Sequence, residues 1–171
     1  ALGEKHLRAE KPSPVHITVK ERTEQAEDHS FYAGKSGKLI AVELSPPPSA
    51  NDQKLLEAAH LLSAMHVDTV TFPDSPSGRT RADSILMAAK VARETDLCVM
   101  PHICCRDKNV LALRSTLLGD YMAGIRQFLF ITGDPVAREF KGKISSVFDF
   151  NSIKLMNYVK EMNAAVFAED P

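Results

Sequence analysis

At 171 residues, 44% hydrophobic and 25% charged, the chain suits one globular domain and is not a disordered segment. A net charge of −1 without a sustained basic cluster argues against a nucleic-acid partner, and no apolar run reaches the roughly 18 residues of a membrane span. The three cysteines, two of them adjacent, form no disulfide framework and the N-terminus carries no secretory signal, so a cytoplasmic, reducing setting is expected.

Residues 1–37 differ in character from the rest. Lys11-Pro-Ser-Pro14 interrupts any pattern, Val15–Val19 offers a short strand, Glu21–Ser30 is charged and Gly34-Lys-Ser-Gly37 is flexible. They read as a linker or arm from a preceding domain, or as a disordered terminus. Leu39–Leu44 is the first clear strand and ends in Ser45-Pro-Pro-Pro48, which enforces an extended exit. Asn51 or Asp52 can cap a helix whose apolar face carries Leu55, Leu56, Ala58, Ala59, Leu62 and Met65. A second strand, Thr69–Phe72, leads into the polar loop Pro73–Gly78. The next helix, about Ala82–Glu94, presents Ile85, Leu86, Ala89 and Ala92.

Leu97–Met100 opens a third strand that is expected to end at Pro101-His102. Asp107 is the expected cap of a third helix, with Val110, Leu111, Leu113, Leu117 and Leu118 inward and Gly124 ending it. Phe128–Ile131 is a fourth strand, read as buried on both faces and halted by Thr132-Gly-Asp-Pro135. After a polar loop, Val136–Phe148, a fourth helix begins near Asn151 with Ile153, Leu155, Met156, Val159 and Met162. Asn163–Pro171 is a fifth strand or the loop before one.

The order β-α-β-α-β-α-β-α, with strand ends recurring about every 30 residues, implies right-handed βα units and a parallel sheet. An open doubly wound sheet would fit in this length, whereas a complete (β/α)8 barrel needs roughly 200 residues or more. Glu43, Asp74, His102 and Asp134 each lie at or just after a strand carboxyl end, one per unit. A barrel directs every strand end to one mouth, while an open sheet concentrates its site at one switch point. The distribution favours a TIM barrel, with residues 38–171 as the N-terminal half and the chain as a fragment.

Glu43 interrupts an apolar strand. Burial raises a carboxylate pKa, which suits a proton donor near neutral pH, although a paired structural carboxylate would look the same. Asp134 and Asp74 sit in turns where an aspartate commonly bonds its own backbone, and His102 can equally be structural. His102-Ile-Cys104-Cys105 lacks a second ligand pair, so no metal is expected. There is no glycine-rich phosphate loop. Arg79 and Arg81 stand where a helix starts and could meet a phosphate or simply be solvated.

Val42-Glu-Leu-Ser-Pro-Pro47, Thr71-Phe-Pro-Asp74, Arg81-Ala-Asp-Ser84, Pro101-His-Ile-Cys-Cys-Arg-Asp107, Phe130-Ile-Thr-Gly-Asp-Pro135 and Ser146–Ser152 appear in order over roughly residues 37–168. Together they resemble methylenetetrahydrofolate reductases, closest to the branch fused behind a homocysteine methyltransferase domain. The resemblance implies a flavin-containing (β/α)8 oxidoreductase of one-carbon metabolism and methionine biosynthesis. In such an enzyme NADH or NADPH reduces FAD, and 5,10-methylenetetrahydrofolate becomes 5-methyltetrahydrofolate. It assigns Glu43 as the general acid at the folate N10 and places Asp134 against flavin and pterin. It further implies FAD contacts at His102, Thr132, Gly133 and Phe150, and positions at the flavin or nicotinamide face for Thr71, Phe72 and Asp74.

The pattern departs from the family at Thr132, where many reductases carry arginine, and at Leu44, which replaces a common phenylalanine. The later strands that complete the FAD and folate sites are absent from this sequence. A half barrel has open sheet edges, so a homo-oligomer is expected, with folate as substrate and a fused or preceding methyltransferase domain as partner. Two alternatives stay open on the residues alone: a flavin-free barrel enzyme of aldolase or pterin-binding type, and a non-catalytic doubly wound binding domain.

Overall fold

A computed structural model of the chain describes Tyr32 and residues 34–165. Most of the expected arm, including the strand proposed at Val15–Val19, lies outside the described residues, as do 166–171. Four strands and four α-helices alternate: β1 (Ala41–Glu43), α1 (Gln53–Ala64), β2 (Thr69–Phe72), α2 (Ser84–Glu94), β3 (Val99–Cys104), α3 (Val110–Met122), β4 (Leu129–Ile131) and α4 (Ser152–Ala165). All three strand pairings are parallel, in the spatial order β1-β2-β3-β4. A doubly wound sheet must reverse its strand order at a switch point. This sheet never reverses, so the four units progress in one sense around a partial TIM barrel.

Register determines which side chains share a face. Glu43 is level with Thr71, Thr71 with Met100, and His102 with Leu129. Because side chains alternate along a strand, Glu43, Thr71, Met100, His102, Cys104, Leu129 and Ile131 belong to one face. Val70, Phe72, Val99, Ile103 and Phe130 belong to the other. That second face packs under the helices. Val70, Phe72 and Val99 join Leu55, Ala59, Ala88, Ala89, Val91, Leu97 and Ile125 in one core cluster. Ile103 joins Ile85, Cys105, Leu113, Leu117, Leu155 and Met162 in a second. The first face corresponds to a barrel interior.

Several sequence expectations change here. Phe128–Ile131 is not buried on both faces: Leu129 is 43% exposed, because β4 is an edge of the described sheet. The first strand shrinks to three residues, with Leu39 and Ile40 exposed at the opposite edge. β3 does not stop at Pro101-His102 but continues to Cys104, since Ile103 and Cys104 still pair with β4. Asp107 does not cap α3. Asn109 does, accepting from the Ala112 N–H at 2.8 Å, while Asp107 binds Arg106.

The inward faces also rotate from the expected ones. In α2 the buried residues are Ser84, Ile85, Ala88, Ala89 and Val91, and Leu86 points outward. Leu111, Met65, Ile153 and Met156 are likewise exposed. Asp83 caps α2 by accepting from the Ile85 and Leu86 N–H groups, each at 3.0 Å. Gly124 ends α3 as expected, with φ +88° and its N–H donating to the Tyr121 carbonyl. The 136–148 loop contains a single 3₁₀ turn, Arg138–Phe140. α4 extends to Ala165, which removes the option of a strand beginning at Asn163.

Candidate active site

The carboxyl ends of the strands collect the polar residues. His102 lies on the interior face of β3, buried, and its backbone carbonyl accepts from Ser84 Oγ at 2.8 Å. Burial holds the imidazole below its ordinary pKa, while the nearby carboxylates of Glu43 and Asp74 pull the other way. Glu43, His102 and Asp74 therefore sit within electrostatic reach across three strands. The His102 Nε2 is buried with no hydrogen-bond partner. A buried polar atom left unpaired is costly, so this nitrogen marks a place where a ligand donor or acceptor fits.

Asp74 follows β2 by two residues and is largely buried. One of its oxygens accepts from the Cys104 backbone N–H at 3.1 Å and pairs with Lys108 Nζ at 2.9 Å. Much of its hydrogen-bonding capacity is thus spent on β3 and the loop beyond it. Asp134 follows β4. Its Oδ2 accepts from the Ser77 backbone N–H at 2.7 Å, which ties the β4 loop to the β2 loop. The short 3₁₀ turn at Pro76–Gly78 makes this contact, entered through Ser75 at φ 44° with Ser77 at φ 56°. Gly78, at φ +65°, lies so close to the other loop that a β-carbon there would fall 2.2 Å from the Pro135 carbonyl oxygen.

Gly133 is a second close approach. It has φ +98°, and a β-carbon would fall 2.1 Å from Cys104 Sγ. Burial pushes the Cys104 thiol pKa up, so it packs as an inert group. All three cysteines are free. Thr132 is exposed at the strand end and is also engaged with the start of α4. Its Oγ1 accepts from the Ser152 N–H at 3.1 Å and bonds the Ser152 hydroxyl at 3.3 Å, fixing the start of α4. Phe150 packs on Tyr158 with ring centroids 5.4 Å apart, beside the same junction.

The structure thus brings Glu43, Thr71, His102 and Asp74 to one region, and Thr132, Gly133, Asp134 and Phe150 to the adjoining strand end. Two expectations need correction. The Phe72 side chain lies wholly in the helix-side core, so only its backbone can face a ligand. The burial expected of Glu43 is not supplied by the described residues, because β1 is an edge strand and Glu43 is exposed. Of the two arginines considered for phosphate, Arg79 pairs with Glu139 at 3.1 Å on the surface.

Sequence reasoning passed over three groups: Lys108 on Asp74, the Ser77 N–H on Asp134, and Arg106 beneath both loops. The signal for Arg106 and Lys108 was two cations placed just beyond a buried strand, next to Asp107. The Ser77 contact left no signal, since a backbone N–H has no residue identity. Among the described residues no group of three His, Cys, Asp or Glu side chains is placed to hold a metal ion. No described helix is long and apolar enough to cross a membrane.

Parallel βα units wound in one sense, with ionisable groups gathered at the strand carboxyl ends, define the construction of a TIM-barrel enzyme. The family model described as methylenetetrahydrofolate reductase matches residues 29–169, and the chain belongs to that family.

Proposed function

We propose that this chain carries the first half of a barrel that reduces 5,10-methylenetetrahydrofolate to 5-methyltetrahydrofolate, using FAD with NADH or NADPH as reductant. The observation that carries the reading is the family match over residues 29–169, joined to a site that presents the residues such chemistry needs. The unpaired His102 Nε2 beside an open interior face accommodates a polar, planar cofactor. His102, Thr71, Gly133 and Asp134 would hold it, with Phe150 and Thr132 shaping the rim and the Phe72 backbone behind. When bound, FAD supplies two-electron transfer between nicotinamide and folate.

The residues of the chain do the rest. Glu43 donates a proton to the folate N10, opening the imidazolidine ring to a cation that can accept hydride. Its carboxyl is set level with Thr71 on the interior face, so it meets a substrate lying across the strand ends. Asp134 keeps a fixed negative charge near that developing cation. The Ser77 N–H orients it, so the charge needs no reorganisation during the reaction. His102, held neutral by burial, offers a hydrogen bond without adding positive charge.

The test is anaerobic half-reaction kinetics on the full-length protein. Glu43→Gln is expected to reduce folate turnover by at least about a hundredfold while flavin reduction by NAD(P)H stays within about twofold, as loss of a general acid requires. Folate turnover that survives the substitution would remove Glu43 from the proton-donor role. A purified full-length protein without a flavin spectrum would remove the reading altogether. Residues 1–37 then serve as the arm from a preceding domain, a homocysteine methyltransferase being the partner favoured by the resemblance. The setting is the cytoplasm and the assembly a homo-oligomer.

A further inference from the structure

Arg106 follows β3 by two residues and is 3% exposed. Burying a guanidinium is unfavourable unless its donors are used. Here they are used in two directions. Nε donates to both Asp107 oxygens at 2.9 and 3.0 Å, and a terminal nitrogen donates to Asp107 Oδ2 at 2.6 Å. The other terminal nitrogen donates to the Ser75 carbonyl and to the Asp134 carbonyl, each at 3.2 Å. The Asp107 hydrogen bonds raise the Arg106 pKa, so the group stays charged. Its main chain is engaged as well: the N–H meets Cys104 Sγ at 3.3 Å, and the carbonyl accepts from Val147 N–H at 2.7 Å.

Ser75 and Asp134 belong to the loops after β2 and β4, which are not neighbours in the sheet. One guanidinium nitrogen therefore spans the unit between them. The same loops meet again above it, where the Ser77 N–H reaches the Asp134 carboxylate and Gly78 packs on Pro135–Ala137. Ser75 and Ser77 hold left-handed backbone conformations, uncommon outside glycine and sustained only where the surroundings fix them.

We propose that Arg106 is a positioning residue for the folate half-reaction, setting the spacing of the β2 and β4 loops so that the Ser77 N–H occupies one oxygen of Asp134 and leaves the other for ligand. Arg106 touches no reacting atom and acts through Asp134. The inference rests on the proposed reductase reading, in which Asp134 faces flavin and folate. Lysine cannot replace it, because an ammonium on a flexible stem lacks the planar fork needed to serve Asp107 and two carbonyls at once.

The experiment compares Arg106→Lys, Asp134→Asn and the double variant, with Asp107→Asn as a milder loosening that leaves no buried gap. Each is measured for melting temperature, flavin midpoint potential, both half-reactions and amide exchange at Ser77. Arg106→Lys is expected to slow the folate half-reaction by about tenfold or more, as misplacement of a reacting group does, with the nicotinamide half-reaction within about twofold. The flavin potential should shift in the same direction as in Asp134→Asn, and Ser77 exchange should accelerate. In the Asp134→Asn background, Arg106→Lys should cost nothing further. If Arg106→Lys does not fold, Asp107→Asn is expected to give the same pattern at smaller amplitude. Effects that multiply in the double variant, or a folate rate equal to that of the parent protein, would overturn the proposal. If the parent protein binds no flavin, the reductase reading fails, and Ser77 exchange alone decides: unchanged protection in Arg106→Lys would sink the positioning role as well.

Discussion

Asp120 shows how one side chain can link stability to pH. It lies near the end of α3, 6% exposed, with Oδ2 buried and without a partner. Its pKa is pushed up to about 7, first by burial and then by Asp83, with Lys108 working the other way. The unfolded chain gives up this proton near pH 3.8 and the folded chain near 7. The stabilisation is thus full below about pH 4 and is lost as pH rises through 7. His102 has the opposite sign, since its folded pKa lies below 6.5 and its contribution is lost on acidification. Comparing Asp120→Asn with the parent protein isolates the first effect. At about pH 8 the variant should be more stable by on the order of 1–2 kcal/mol, after allowance for solvent screening. The gap should narrow toward pH 5 and close below about pH 4, and an equal gap in denaturant midpoints at pH 8 and pH 4 would refute this. Asp120 was not legible in the sequence, because it follows Leu117-Leu118-Gly119 on a helix whose exposed and buried faces alternate without a clear stripe. The placement of Glu43, Asp74, His102 and Asp134 in or just after strands was legible, because each follows or breaks an apolar run.

At the level of elements, the strand-end loops are held by two glycines with different neighbours. Gly78→Ala drives a methyl into the Pro135 carbonyl, a backbone atom that cannot turn aside, at φ +65°. We expect a loss of at least about 1–3 kcal/mol in chemical denaturation, together with weaker Ser77 amide protection. Gly133→Ala meets the Cys104 sulfur instead. Adding Cys104→Ala should recover part of that loss, leaving the double variant less destabilised than the sum of the singles; strict additivity would show that the sulfur is not the obstacle. Strand and helix existence was readable from apolar periodicity, and the ends were not. β3 ran past Pro101-His102 because pairing with β4 outweighed the proline. The α3 cap moved to Asn109 because Arg106 claimed Asp107. Both outcomes depend on neighbours about 25 residues or more away or on a competing ion pair, neither of which local pattern records.

For the whole molecule, the parallel βα repeat was legible from the spacing of the units and the barrel-like winding from the polar residues at successive strand ends, and the sequential order β1-β2-β3-β4 supports both. The burial of the outer strands was not, because their apolar runs are suited to neighbours that the described residues do not include. Among those residues β1 and β4 each have one strand neighbour, so unpaired backbone groups line both edges. The 171-residue chain is expected to sediment as more than a monomer, and Leu129→Lys should shift it toward monomer by placing a charge on the β4 edge. A monomer in the parent protein would remove that expectation. The Ser77–Asp134 hydrogen bond has a different consequence. Every strand pairs with the one just before it, so the sheet can grow unit by unit from contacts close in sequence. This bond joins residues 57 apart and passes over β3. It cannot form until β4 has docked, and closing so long a segment carries an entropic cost that the earlier pairings must already have met. We therefore expect the sheet to form first and the carboxylate's setting last, which pulsed amide exchange at Ser77 during refolding would check.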